Sequence, residues 1–187
     1  MKKIFFNNDV YELLLSRKDI TKEVKKIATK IAIDYRTKSG NLVLLFVLNG
    51  GMYFGVELSQ ALEEIGLKHK VDIINLKSYN QRNNKGSSVT ILNSPYTHLR
   101  GKDILIVEDI IDRGDTMNFL YRYLLGQDYP PRTIEFCSFF IKRGHNPLDF
   151  NLKYGGRIVG LEWIIGYGMD SNGFGRGLKD IWIKSDS

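Results

Sequence analysis

The sequence predicts an α/β domain: a mainly parallel, twisted sheet flanked by helices, with a small hood. Short continuous apolar runs alternate with amphipathic segments through the first three quarters of the chain, as strands and helices do in a parallel sheet. The run Leu42 to Leu48 ends in Asn49-Gly50-Gly51 and leads into an amphipathic segment, which makes strand, glycine turn and helix, half of a crossover unit. The most polar motifs fall where strands end, the edge at which open sheets bind ligands.

Val24, Ile27, Ala28, Ile31, Ala32 and Tyr35 recur at helical spacing after Thr21, so a helix is expected over 21–37 with Thr21 as its N-cap. Leu42 to Leu48 is too short for a helix and reads as a strand buried on both faces. Phe54, Leu58, Ala61, Leu62 and Ile65 mark the next helix, stopped at Gly66. Strands are expected at Val71 to Leu76, near Val89 to Leu92, at Ile104 to Val107 and at Ile134 to Ile141, with a helix through Met117, Leu120, Tyr121 and Leu124. Asn80 to Ser88 holds no apolar residue and reads as a polar surface loop. From Ile158 onward, short runs among many glycines suggest antiparallel pieces or a hood.

At 187 residues, 43% of them hydrophobic, the chain has material for one core. The formal charge of +6 is concentrated in part at Lys18, Lys22, Lys25, Lys26 and Lys30, interleaved with an apolar stripe and so read as a solvated helix face. Cys137 stands alone inside an apolar run, and His69, His98 and His145 lack metal-ligand spacing. Neither a targeting segment nor a membrane-spanning run is visible, so a cytoplasmic location is expected.

Val107-Glu108-Asp109-Ile110-Ile111-Asp112-Arg113-Gly114-Asp115-Thr116-Met117 leaves a buried strand and enters a helix. Adjacent carboxylates such as Glu108 and Asp109 repel one another when desolvated, an arrangement justified by a cation or a polar ligand; magnesium and ribose hydroxyls both fit. From Asp112 to Thr116 the turn offers bare N–H groups, a permissive glycine and a threonine hydroxyl, a cradle for phosphate. The chain has no G-x-x-x-x-G-K-[ST] signature, which disfavours an ordinary nucleoside triphosphatase.

This motif, two acids, two apolar residues and a phosphate loop ending in Gly and Thr, resembles that of the type I phosphoribosyltransferase family, in its hypoxanthine-guanine branch. The resemblance runs from about residue 40 to Asp180. It implies a single domain over 1–187, with a hood formed by the N-terminal segment and residues from about 143 to 187. It implies purine salvage: transfer of the 5-phosphoribosyl group from 5-phosphoribosyl 1-pyrophosphate to hypoxanthine or guanine, with Mg2+ as cofactor. Glu108 and Asp109 would hold the ribose and metal, and Asp112, Arg113, Gly114, Asp115 and Thr116 the 5′-phosphate, with Asp112 also the catalytic base. Lys142, a donor at a strand end, suits an exocyclic carbonyl rather than the amino group of adenine. Trp163 would stack on the purine beside Ile164, and Asp170 would be the second metal ligand. Asn49 and Gly50, with an expected cis peptide after Leu48, and Arg176 would face pyrophosphate. Ser78 and Tyr79 would open a loop that closes over the reaction.

Several positions depart from the usual pattern: Asn49 where lysine or arginine is frequent, Arg113 where a small hydroxyl residue is usual, Gly160-Leu161 where Pro-Asp is common, and the added Asp115 carboxylate. The resemblance implies a homodimer or homotetramer acting on small molecules, without nucleic acid or membrane partners. The rival is a regulatory protein that senses the activated sugar and binds nucleic acid, for which no helix-turn-helix or basic-aromatic strip is visible.

Overall fold

The computed structural model describes residues 2–37, 40–80, 87–93, 95 and 98–185, with backbone alone at 78–80 and 87–88. The elements follow as β1 (Lys3–Phe6), β2 (Asp9–Leu15), α1 (Arg17–Tyr35), β3 (Leu42–Leu48), α2 (Gly51–Glu64), β4 (Lys70–Asn80), β5 (Ser87–Asn93), β6 (Asp103–Ile111), α3 (Asp115–Leu125), β7 (Thr133–Lys142), β8 (Leu152–Val159), β9 (Ile164–Ile165) and β10 (Ile181–Lys184).

The apolar run of β3 has a direct structural cause. Leu42, Leu44 and Phe46 pack with Val24, Ile27 and Ile31 of α1 and Phe54, Leu58 and Leu62 of α2. Their alternates Val43, Leu45 and Val47 pack with Met117, Leu120 and Leu124 of α3 on the other face. With both faces covered, each such side chain leaves water, a gain of about 1.5–3 kcal/mol apiece before entropy is counted. The strand order is β5-β4-β3-β6-β7-β8. Every pairing from β4 to β8 is parallel, and β5 closes one edge antiparallel to β4.

The structure departs from the sequence expectations in three places. First, α1 begins at Arg17, four residues before the expected start: the Ser16 hydroxyl accepts from the Asp19 N–H, and the Asp19 carboxylate accepts from the Ser16 N–H at 3.2 Å. This reciprocal box satisfies two otherwise bare donors, and Thr21 instead donates to Glu57.

Second, β8 joins the large sheet parallel to β7 rather than forming an antiparallel piece. As an edge strand containing Gly155 and Gly156, with Tyr154 and Val159 its buried residues, it has no continuous apolar signal. Third, the N-terminus, where the residues gave no strand expectation, folds as a hairpin turned by Asn7 and Asn8 at φ 48° and 67°, a left-handed pair that asparagine tolerates. It belongs to a small antiparallel sheet, β1-β2-β10-β9, around Tyr11, Ile165 and Trp182. Between β4 and β5, the expected polar loop lies largely outside the described residues. Among those described, no helix is long and apolar enough to cross a membrane.

Candidate active site

The carboxyl ends of β3, β6 and β7 bring the candidate residues to one edge. Gly50, Asp109, Asp112, Lys142, Trp163, Ile164, Asp170 and Arg176 line a single cavity of about 220 Å³. Its wall is completed by Ile110 and Met169, which sequence reasoning missed because apolar lining residues carry no signal of residue type. Glu108, Asn49 and the segment Arg113 to Thr116 lie outside this lining. Ser78 and Tyr79 lie near the end of β4, before Asn80, their backbone paired with Val89 and Ser88, and their side chains lie outside the described residues.

Lys142 is 8% exposed, and this buried ammonium has two partners. Its Nζ lies 3.4 Å from Asp112 Oδ1 and 5.4 Å from the centre of the Trp163 ring. Trp163 remains 49% exposed, which leaves ring surface open to a flat ligand. Its indole N–H donates to the Asp170 carbonyl at 2.7 Å. The Asp170 carboxylate takes the Gly173 N–H at 2.6 Å and pairs with Arg176 Nη2 at 2.5 Å, while Arg176 Nη1 donates to the Gly168 carbonyl at 2.6 Å.

Below this cluster the backbones approach closely. The Leu48–Asn49 peptide is cis. A side-chain carbon on Gly50 would lie 2.2 Å from Asp109 Oδ2, and one on Gly168, which has φ 106°, would lie 2.2 Å from the Gly50 carbonyl. Glycine alone fits these contacts. Glu108 and Asp109 are adjacent, Asp109 buried and Glu108 partly so: burial first, then the charge of Asp109, pushes Glu108 well above the usual carboxylate range. Burial also raises Asp109, with Arg176 opposing both shifts.

At the end of β6 the chain turns through Gly114, at φ 87°, into α3, whose N-terminus has no side-chain cap. Bare N–H groups and the helix dipole there suit an anion. The Asp115 carboxylate is drawn sideways: it accepts from Asn146 Nδ2 at 2.8 Å and lies 3.9 Å from Arg113 Nε.

The sequence profile of the phosphoribosyl transferase domain matches residues 11–172. The chain belongs to the phosphoribosyltransferase family. Its phosphoribosyltransferase fold extends over almost the whole chain in individual comparisons. A hypoxanthine-guanine phosphoribosyltransferase of Aquifex aeolicus is 29% identical over 175 residues, covering 94% of this chain and 95% of that protein. A hypoxanthine phosphoribosyltransferase of Salmonella typhimurium is 29% identical over 159 residues, covering 85% and 86%. Among solved structures, a Staphylococcus aureus hypoxanthine phosphoribosyltransferase superposes with a TM-score of 0.84 at 26% identity, over 95% of this chain and 93% of that one. A Trypanosoma cruzi hypoxanthine phosphoribosyltransferase in complex with its product IMP gives 0.84 at 27% identity, over 96% and 93%.

Proposed function

We propose that this phosphoribosyltransferase joins a 6-oxopurine, hypoxanthine or guanine, to the phosphoribosyl group of 5-phosphoribosyl 1-pyrophosphate, in purine salvage. The observation that carries the reading is the placing of Lys142, Asp112 and Trp163 on one cavity with Asp109, Asp170 and Arg176. A buried ammonium can donate to a ring carbonyl but not to an exocyclic amino group, and an open indole face accepts a planar base.

In this mechanism the purine N9 forms the bond to the anomeric carbon as the bond to pyrophosphate oxygen breaks, its electron pair leaving with pyrophosphate. Asp112 accepts the proton that the base gives up at N7, and Lys142 holds the 6-oxo group and keeps the Asp112 carboxylate oriented. Arg176 and the Asn49-Gly50 amides receive the charge gathering on the leaving group. Arg113, Gly114, Asp115 and Thr116 form the 5′-phosphate loop.

Two adjacent carboxylates whose charge is opposed by Arg176 and by the backbone N–H groups of Asp109 and Ile110 suit a hard divalent cation. Among the described residues no three acidic, histidine or cysteine side chains converge on one point. The fit is therefore to magnesium arriving with substrate oxygens and water, which Glu108, Asp109 and Asp170 would help to hold. When bound it neutralises charge on the departing pyrophosphate. The enzyme works in the cytoplasm as a homodimer or homotetramer.

The test is a purified reaction with magnesium and the activated sugar, offering hypoxanthine, guanine, xanthine, adenine, orotate and uracil in turn. Nucleotide formation from hypoxanthine or guanine, and none from adenine, orotate or uracil, is expected. Transfer to adenine, or to a pyrimidine alone, overturns the assignment.

A further inference from the structure

We propose that the indole N–H of Trp163 is a positioning donor that couples the base side of the cavity to its pyrophosphate side through Asp170. The inference rests on the reading above and concerns what a bare stacking platform would not need. A phenyl ring would present the same kind of flat face, yet this position carries an N–H that donates to the Asp170 carbonyl at 2.7 Å. Asp170 is thereby held by its backbone, while its carboxylate is fixed by Arg176 at 2.5 Å and by the Gly173 N–H at 2.6 Å. Arg176 in turn donates to Gly168, whose Cα lies against the Gly50 carbonyl. Three polar links and one close backbone contact thus run from the base platform to the loop that faces pyrophosphate.

The link is sensitive to the base because Trp163 is half open to solvent. A purine laid on the ring screens the N–H···O=C bond from water, and a hydrogen bond strengthens as the local dielectric falls. The Asp170–Arg176 pair is then held more firmly when pyrophosphate or the activated sugar arrives. Thermodynamic reciprocity requires the converse: pyrophosphate must tighten base binding by the same factor. Trp163 acts here through Asp170 and Arg176, in addition to any contact its ring makes with the base.

The test is equilibrium titration of magnesium pyrophosphate into the full chain, with and without saturating hypoxanthine, for the unaltered protein and for Trp163→Phe. The unaltered protein is expected to bind pyrophosphate more tightly when hypoxanthine is present. In the variant, pyrophosphate affinity without base should fall about fivefold to tenfold, the enhancement by hypoxanthine should shrink towards one, and the melting temperature should hold. A parallel rise in KM for the activated sugar, larger than that for the base, is the kinetic counterpart. Pyrophosphate affinity within about twofold of the unaltered protein, with base affinity alone reduced, overturns the proposal. Should Trp163→Phe fold poorly, replacing Trp163 with benzothienylalanine, which keeps the bicyclic shape and puts sulfur in place of N–H, decides by the same readings. Nucleotide synthesis by the unaltered protein without such coupling sinks this inference alone, whereas absence of synthesis with every base sinks the reading beneath it.

Discussion

Lys142 and Asp112 stand in different surroundings although they touch. The lysine side chain is 10% exposed and the aspartate 55%, so the aspartate is open to solvent and ligand while the lysine is enclosed. Asp112→Ala should lower turnover about 10²- to 10⁴-fold, the range for a lost general base, with the fold retained and the melting temperature lowered only by the loss of the half-exposed partner of Lys142. Steady-state kinetics beside a thermal melt checks both halves. Glu108 behaves oppositely, because its charge is costly in the ligand-free protein. With the folded value raised above the ordinary 4.5, its favourable contribution is complete below that pH and is lost as pH rises through the folded value. Glu108→Gln should therefore raise the melting temperature at neutral pH, with the gain fading below about pH 4, and weaken magnesium-dependent pyrophosphate binding. A pH series of melts reads the sign directly. Asp112 and Lys142 stood out in the sequence as polar residues at strand ends within a family-like motif, and they do line one cavity. Gly168 was not singled out, because its requirement arises from contact with Gly50, distant in sequence.

Elements were legible where one physical cause dominated. The runs of β3, β6 and β7 are apolar on both faces because helices cover both, and the helical stripe of α2 faces that same core. Signals weakened where an element is half-covered. The hairpin β1–β2 presents Phe5 and Val10 to solvent, and β9 has two residues, too few for any periodicity. At the start of α1 the periodic apolar residues pointed to Thr21, but Ser16 and Asp19 close the box one turn earlier and Ile20 is already fully buried. Ser16→Ala should cost about 1 kcal/mol of unfolding free energy, typical of a lost N-cap, whereas Thr21→Ala should act through Glu57 and not through helix initiation. Urea titration of the two variants, with helix content followed by circular dichroism, separates these effects. At the other end of the fold, the carbonyls of β3 and the turn after it are set by neighbouring backbone. Gly168→Ala places a carbon against the Gly50 carbonyl in a conformation L-residues rarely adopt. It should cost about 2 kcal/mol or more and reduce pyrophosphate affinity together.

The small sheet and the large sheet meet at a charged junction that composition gave no reason to expect. Glu57 of α2 accepts from Arg17 Nη1 at 2.8 Å, from the Thr21 hydroxyl at 2.9 Å and from the Tyr167 hydroxyl at 2.5 Å. Arg17 also lies over the Tyr167 ring at 5.5 Å, and its N–H donates to Asp180 just before β10. One carboxylate therefore joins both helices on that face to the segment carrying Asp170 and Arg176. Burial and the nearby Glu57 charge push the Tyr167 hydroxyl far above its ordinary value, so it remains a donor throughout the working pH range. Glu57→Ala leaves three donors without their acceptor. Breaking a buried pair costs about 3–5 kcal/mol, and the half-exposed Arg17 side chain recovers water, so about 2–3 kcal/mol is expected. Because Tyr167 adjoins Gly168, the variant should also raise KM for the activated sugar more than KM for the base. A loss of stability with both KM values unchanged would mean that the junction fastens the small sheet without setting the geometry of the cavity.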